Sequence, residues 1–553
     1  MADFGQIAIV AAMVVAAYAA VAAILGVRLR ATDLVASAYN GVLGVAILMT
    51  VASGTLLAAF LTNDFSIRYV AEHSSREMPL SLVAAAFYGG QAGSLLYWGW
   101  TLSLFSAIVA YQRRHDADRE LMAYVHATLM VVMCFFGLIL GFVASPFEKM
   151  AVAPANGQGL NPLLYDVQDY GLGIVSADGR LWAEAPGVTL FVGVLSDTIK
   201  TGLDRHGPDG FADGDVLIAN DPYLTGTHIS DTSVYTPIFA DGQLVAFAVA
   251  TAHWADIGGK VPGGWCPDST DVYQEGICFT HEKLVAGGVP NDALWSVIMN
   301  NVRYPTTVRG DLEAKIAACR QGALRVQALC AKHGIERVRE AMDLSIERTD
   351  VAIRRRIAEL PDGTYGAQLV MDHDGVNKAD HYTLALQITV AGDRIRVSFD
   401  GTSRTVGGPV NIPAMGTRSA VRAALKGFLS PTEPANEGDF KAIEFDIEPG
   451  LVVSPQRPAP VDSYGYVCIA VWELTMRALA GIVPTRCVAG GGQLCMPTIS
   501  RVDPRLGTPF VLADPLDVGN GARLGADAPT MAMLDMASRN VASPREPSTA
   551  RGL

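Results

Sequence analysis

The chain lacks a run of lysine or arginine longer than Arg354-Arg355-Arg356, a phosphate-binding loop, a serine elbow and any paired-cysteine spacing, and each absence removes a class of function. With 42 Lys+Arg against 55 Asp+Glu in 553 residues, and a formal net charge of −13 at pH 7, it offers no basic stripe, so nucleic acid is not an expected partner. Gly258-Gly259-Lys260 fails the Walker spacing, because Trp254 stands where the first glycine belongs and Val261 where Ser or Thr should follow the lysine. Gly490-Gly491-Gly492 lacks the GxGxxG spacing and reads as a turn. No GxSxG elbow is present. Of eight cysteines, seven lie between Cys266 and Cys495 without a CxxC or a metal-finger spacing. That odd number suits reduced thiols better than a disulfide scaffold. Internal repeats and long low-complexity tracts are absent too.

What the chain does have is a change of composition near residue 145. Residues 1–145 hold four apolar stretches, about 7–27, 40–62, 93–111 and 121–144, each close to the ~20 residues that cross a bilayer. They predict an α-helical membrane block of four transmembrane helices. Seven Lys/Arg and eight Asp/Glu give this stretch a net charge of −1, so −12 of the −13 falls on an ordinary acidic, soluble remainder. A cleaved signal peptide is the weaker reading, since the start is not basic and three more hydrophobic runs follow. Arg28 and Arg30 follow the first stretch and Arg113, Arg114 and Arg119 the third, which favours the cytoplasm for those loops; Arg68 and Arg76, between them, oppose the bias. The expectation is a multi-pass protein of the inner (cell) membrane whose block begins and ends on the non-cytoplasmic side.

Two short segments carry the strongest chemical signal. Asn220-Asp221-Pro222-Tyr223 leads into His228-x-x-Asp231, and His253-x-x-Asp256 runs on into Ile257-Gly258-Gly259. Each follows an apolar, strand-like run (residues 215–218 and 244–249) and sits beside Gly or Pro that favours turns. Neutral imidazole and carboxylate oxygen are the usual ligands of a catalytic divalent metal, which makes His228, Asp231 and His253 candidate ligands. The same residues also suit a purely local role as caps of strand ends in two loops, and the sequence leaves both readings open.

Secondary structure is legible in places. Residues 310–334 read as one helix closing at Gly334, and 334–360 as a second. Residues 380–400 alternate, with His381, Thr383, Ala385 and Gln387 on one face and Tyr382, Leu384, Leu386 and Ile388 on the other. Mixed helices and hairpin strands predict an α+β domain.

The stretches "GDVLIANDPYLTGTHISDTSVYTPIF", "AHWADIGGKVPGG" and "DVYQEGICF" resemble the hydantoinase B/oxoprolinase family, which includes the large subunits of acetone and acetophenone carboxylases. "SADGRLWAE" (176–184), "NVRYPTTVRGDLEAKIAACRQGALRV" (301–326), "LPDGTYGA" (360–367) and "VSFDGTSRTVGGPVN" (397–411) extend the resemblance over about 165–520. It implies a divalent metal ion (Zn, Mn or Fe) and a hydantoinase A-like partner subunit that spends ATP to activate a small cyclic amide. This subunit would then open the lactam with a water made acidic by the metal. The carboxylase branch implies a ketone substrate instead. The resemblance also sets Asp169 at the Asp of an "RxDFS"-like motif as a further ligand, although Tyr170 and Gly171 follow it here. Asp256 is expected to orient His253 or act as a base, Asn220 and Asp221 to fix the substrate or the loop, and Glu275 of "YQEG" to be a base or a structural acid.

The amino-terminal block carries a second resemblance. "NDFSIRYVAEHSSREMPLSLVAAAFYGGQAGSLLYWGW" (63–100), with "SPFEKM" and "GQGLNPLL" up to residue 164, is similar to the start of the heme-lyase subunit of cytochrome c maturation, the CcmF type. That family handles heme with a tryptophan-rich segment and histidines beyond the part matched, and this chain leaves the pattern at about Leu164. Block 1–145 is therefore expected to bind no heme by itself, with His73, Trp98, Trp100 and His126 acting as interfacial anchors or packing residues. Membrane lipid and cytochrome c maturation proteins are its candidate partners. The whole chain reads as a truncated heme-lyase-like segment fused to a hydantoinase B-like domain, or else as a non-catalytic membrane component of cytochrome c maturation. Residues 521–553, ending "ASPREPSTARGL", are expected to form a disordered tail.

Overall fold

The computed structural model describes residues 1–74, 78, 80–113, 119–149, 164, 169–185, 187–490, 497–502, 504, 507, 509–513, 521–522 and 525. Nearly all of the expected tail at 521–553, most of the 145–164 segment, Arg76, Arg114, Cys495 and Gly491-Gly492 fall outside these residues. The chain divides into two compact units, Met1–Gly159 and Leu160–Leu553.

In the first unit, α1 (Ala2–Arg28) and α2 (Thr32–Leu61) are joined by a short loop. After them come α3 (Arg68–His73), α4 (Leu80–Gly89), α5 (Gln91–Arg113) and α6 (Arg119–Leu138), the last running into a π turn at Ile139–Val143. Four of these helices are long and apolar enough to cross a membrane: Ala2–Arg28, Thr32–Leu61, Gln91–Gln112 and Glu120–Val143. The short helices α3 and α4 were not foreseen, being too short to give a clear period. Small residues let α1 and α2 approach closely: a Cβ on Gly41 would lie 2.8 Å from the Cβ of Ala19. Large apolar side chains such as Phe4, Ile47, Phe105 and Phe135 point outward. His73 bonds through Nδ1 to the Tyr69 carbonyl at 2.9 Å, His126 packs edge-on against Tyr39, and Trp100 donates to Thr50 Oγ1 at 2.9 Å. Trp98 is exposed.

The second unit is α+β. A seven-stranded antiparallel sheet has the order β2-β1-β5-β4-β3-β6-β7, from β1 (Tyr170–Ser176), β2 (Leu181–Ala185), β3 (Val216–Ala219), β4 (Asp231–Ala240), β5 (Gln243–His253), β6 (Thr280–Ala286) and β7 (Val289–Pro290). Both faces are covered. One buries Leu217, Tyr235, Phe247 and Val249 with Leu195 and Ile199 of α7 (Thr189–His206). The other buries Ile218, Val234, Ala248 and Ala250 with Leu312, Ile316 and Cys319 from a later helix. This double cover explains why β4 and β5 read as continuous apolar runs rather than alternating ones. Their hairpin closes through Asp241 (φ 47°) and Gly242 (φ 75°), the paired left-handed residues of a two-residue turn.

After the four-residue α8 (Pro222–Thr225) come α9 (Asp292–Asn301), α10 (Pro305–His333) and α11 (Ile335–Ala358). Helix α10 closes at Gly334 as expected but starts five residues before the predicted 310, because Pro305 takes the first turn, where a missing N–H costs nothing. A second sheet, β11-β10-β9-β8, comprises β8 (Gly363–Met371), β9 (Tyr382–Ala391), β10 (Arg394–Ser398) and β11 (Ile443–Asp446). Tyr382, Leu384, Leu386 and Ile388 are its buried face, and α12 (Ala414–Leu429) and α13 (Gly465–Ala480) complete that core. The strands β12 (Thr498–Val502) and β13 (Pro509–Ala513) pair separately.

Candidate metal centre

The β4–β5 ladder sets Asp231, the first residue of β4, opposite His253, the last of β5. Upstream, Asp221 caps α8 by accepting from the Tyr223 amide, and Gly226 ends that helix in the left-handed region. The turn that follows returns His228 to the same end of the sheet. All three side chains are buried.

Their donor atoms form a small triangle. His228 Nε2 lies 3.0 Å from His253 Nδ1 and 3.0 Å from Asp231 Oδ1, and His253 Nδ1 lies 3.1 Å from Asp231 Oδ1. His228 Nδ1 donates to the Asp462 carbonyl oxygen at 2.9 Å, and Tyr464 Oη donates to Asp231 Oδ2 at 2.9 Å. Trp265 stacks on His253 with centroids 5.2 Å apart. A carbonyl accepts only, so the first of these bonds fixes the Nδ1–H tautomer of His228 and aims the Nε2 lone pair into the triangle. Donor atoms this close share a hydrogen or a cation among them. A tetrahedral cation with ligands at about 2.0–2.1 Å would hold its donors about 3.3 Å apart, so this donor set fits a divalent ion.

The electrostatics agree. Burial alone would lower the His228 pKa, but Asp231 and Asp462 outweigh it and hold the imidazole well above its ordinary value. Burial likewise opposes ionisation of Asp231, yet the neighbouring His228 and His253 keep its carboxyl below the usual range. Both shifts favour positive charge at the triangle.

The other predicted residues sort differently. Asp169 immediately precedes β1, its carbonyl accepting from the His253 amide at 3.3 Å. Burial pushes its carboxyl up to about 6, against the pull of His253, and it stands outside the group of donors that lie within 4.8 Å of one another, His228, Asp231 and His253. Asp256, three residues past His253, is turned to Arg303: Oδ2 accepts from the Arg303 amide at 2.6 Å and Oδ1 from its guanidinium at 2.7 Å. Asn220 clamps loops, donating to the Ile229 and Ile277 carbonyls and accepting from the Phe279 amide. Asp221 takes Arg457 Nη2 at 2.6 Å. Glu275 Oε1 accepts from Ser269 Oγ and from the amides of Val461 and Asp462, and burial with the nearby Asp462 pushes its carboxyl up to about 8.

Sequence reasoning missed Asp462, Tyr464 and Trp265. The first two lie more than 230 residues from the ligands they support, and the local signal was only a polar Asp-Ser-Tyr following a proline-rich stretch.

Fold and site together define an α+β protein with a buried His/Asp/His donor set at one end of an antiparallel sheet. The chain belongs to the hydantoinase B/oxoprolinase family, whose sequence profile matches residues 150–544. A Pseudomonas protein provisionally assigned as the B component of a D-/L-hydantoinase is 32% identical over 383 residues, 66% of this chain and 64% of the relative. The caprolactamase beta chain of Pseudomonas jessenii is 30% identical over 320 residues, 58% of this chain and 55% of the relative. The ATP-dependent caprolactamase structure from that organism superposes with a TM-score of 0.63 at 26% identity, covering 66% of this chain and 64% of the other. An acetone carboxylase structure, at 20% identity and a TM-score of 0.64 over 69% of this chain and 53% of the other, shares the fold. The chain thus spans a little over half to just under two-thirds of the length of these relatives.

Proposed function

We propose that this chain is the metal-dependent subunit of an ATP-dependent lactam or ring-amide hydrolase. What supports the reading is the triangle of three buried lone-pair atoms, together with membership of the family. His228, Asp231 and His253 would hold one divalent ion, Zn, Mn or Fe, which when bound supplies an acidified water and a Lewis acid for a carbonyl. Asp462 fixes the tautomer of His228, and Tyr464 orients Asp231. Asp169, with its carboxyl near 6, is suited to accept a proton close to neutral pH. Asp256 acts through Arg303 as a positioning residue, and Glu275 holds the turn that carries Asp462. Asn220 and Asp221 fix loops rather than substrate.

In this reading ATP is used by a hydantoinase A-like partner, which the similarity to the B component of a hydantoinase and to an ATP-dependent caprolactamase supports. In this reading the first unit is a multi-pass block of the inner membrane surrounded by lipid, which its four long apolar helices and outward-facing side chains support. The test combines the full chain in detergent, an A-like partner subunit, ATP and either caprolactam, 5-oxoproline or acetone with bicarbonate. Ring-opened product formed with phosphate release supports the proposal. Carboxylation of acetone alone would move the chain to the carboxylase branch, and no turnover of any of the three, with metal bound, would overturn the catalytic reading. A reporter fused after Leu164 reads the side of the membrane: a cytoplasmic signal meets the need for ATP, and a non-cytoplasmic one follows the arginine bias and would separate the chain from such a partner.

A further inference from the structure

A lysine buried in the wall behind the triangle has no part in the chemistry above. Lys315 lies on α10, the helix covering the face of the large sheet that buries Val234 and Ala248, and it is 4% exposed. Its Nζ donates to the Thr232 carbonyl at 2.8 Å and sits 5.0 Å from the centre of the Trp254 ring. Thr232 directly follows Asp231, and Trp254 directly follows His253. One ammonium therefore grips both strand ends that carry donor atoms. Thr232 also lies one residue beyond the last β3–β4 pair, Ala219 with Ser233, where β4 has lost its neighbour on that side. One turn further along α10, Cys319 makes the equivalent contact to the Val234 carbonyl, away from the donors.

Burying an ammonium is costly unless it is paired, and lysine is an unusual residue for the inner face of a covering helix. Burial pulls its pKa down to about 7, against Asp311, four residues earlier on the helix, Cys319 and Asp231 itself. A methionine in its place would fill the same volume without that penalty, so packing alone does not account for a cation there.

We propose that Lys315 is a positioning residue of the His228/Asp231/His253 centre, fixing the spacing of the two strand ends through the Thr232 carbonyl and the Trp254 ring. The proposal rests on the reading of those three residues as metal ligands. Groups that orient ligands without touching the ion commonly change metal affinity about 10–100-fold.

The test measures affinity for Zn²⁺ and Mn²⁺ alone, by competition with a chelating dye, on the full chain in detergent. The variants are K315M, C319A and the double variant H228A/H253A, and unfolding is followed in parallel in excess EDTA. The expected result is affinity weakened about 10-fold or more in K315M and unchanged in C319A. Wild-type affinity in K315M, or equal weakening in C319A, overturns the proposal alone. Equal metal retention by wild type and H228A/H253A overturns the ligand reading and this proposal with it. Should K315M not fold, W254L is read instead, since it leaves the lysine its carbonyl but removes the ring. Weakened binding there supports the proposal and unchanged binding overturns it.

Discussion

His228 Nδ1 donates to the main-chain oxygen of Asp462 at 2.9 Å, across 234 residues of sequence. This bond leaves the other ring nitrogen as a lone-pair donor, and it ties the turn before β4 to the segment that opens α13. The full chain is expected to retain about one divalent ion after exhaustive dialysis, and H228A/H253A none, as read by elemental analysis. Equal content in the two would sink the metal reading.

Asp256 is fully buried, and Arg303 supplies its charged partner. Replacing Arg303 by methionine strands that carboxylate and should cost about 3 kcal/mol, measured by denaturant unfolding. D256N should cost less, because the Arg303 amide still bonds to the side chain. If Asp256 instead acted directly as a base, D256N would abolish turnover at unchanged stability.

His281 is buried, with Thr201 Oγ1 and Tyr235 Oη each 3.0 Å from a ring nitrogen. Burial, reinforced by His206 and Arg205, pulls its pKa down to about 4. The unfolded chain, with a value near 6.5, therefore binds more protons than the folded one between pH 6.5 and 4. Stability from this group is complete above about 6.5 and falls as the pH drops towards 4, by on the order of 3 kcal/mol at most. Unfolding titrations at several pH values should show this slope, and H281Q should flatten it.

In the first unit, Gly41 faces Ala19 with no room for a side chain, whereas Gly54 on the same helix has nothing within 4 Å of the point where a Cβ would stand. G41L should destabilise the detergent-purified chain by about 1–3 kcal/mol through overpacking, and G54L should leave the thermal midpoint unchanged. Equal midpoints for the two variants would contradict the close approach of α1 and α2.

Sequence periodicity was most informative where one physical requirement dominated. The lengths of the apolar stretches foretold the four long helices, and the alternation at 382–388 foretold the buried face of β9. The helix ending at Gly334 was legible because a glycine stop follows a periodic run. At the centre, His228, Asp231 and His253 were visible because their spacing and flanking turns are local. Asp462 and Tyr464 were not, since nothing in a linear pattern reports which distant turn will face a histidine. Asp256 behaves differently: the same three-residue spacing that joins His228 to Asp231 brings this carboxylate to Arg303, because the chain leaves β5 at His253 and turns toward α9 and α10.

The two-residue turn at Asp241-Gly242 carries an error-checking burden out of proportion to its size. From that corner, past one shift of register between Ile238 and Phe239, β4 runs ten residues back to Asp231, roughly 30 Å away. Side chains alternate between faces at each step, so a slip of one residue at the corner would carry Asp231 to the opposite face from the one it needs. Capture of an ion by the proposed centre would then be a readout of correct strand alignment. A chain that pairs out of step would form much of its sheet and still be unable to close the triangle, so the ion would selectively stabilise only correctly aligned molecules.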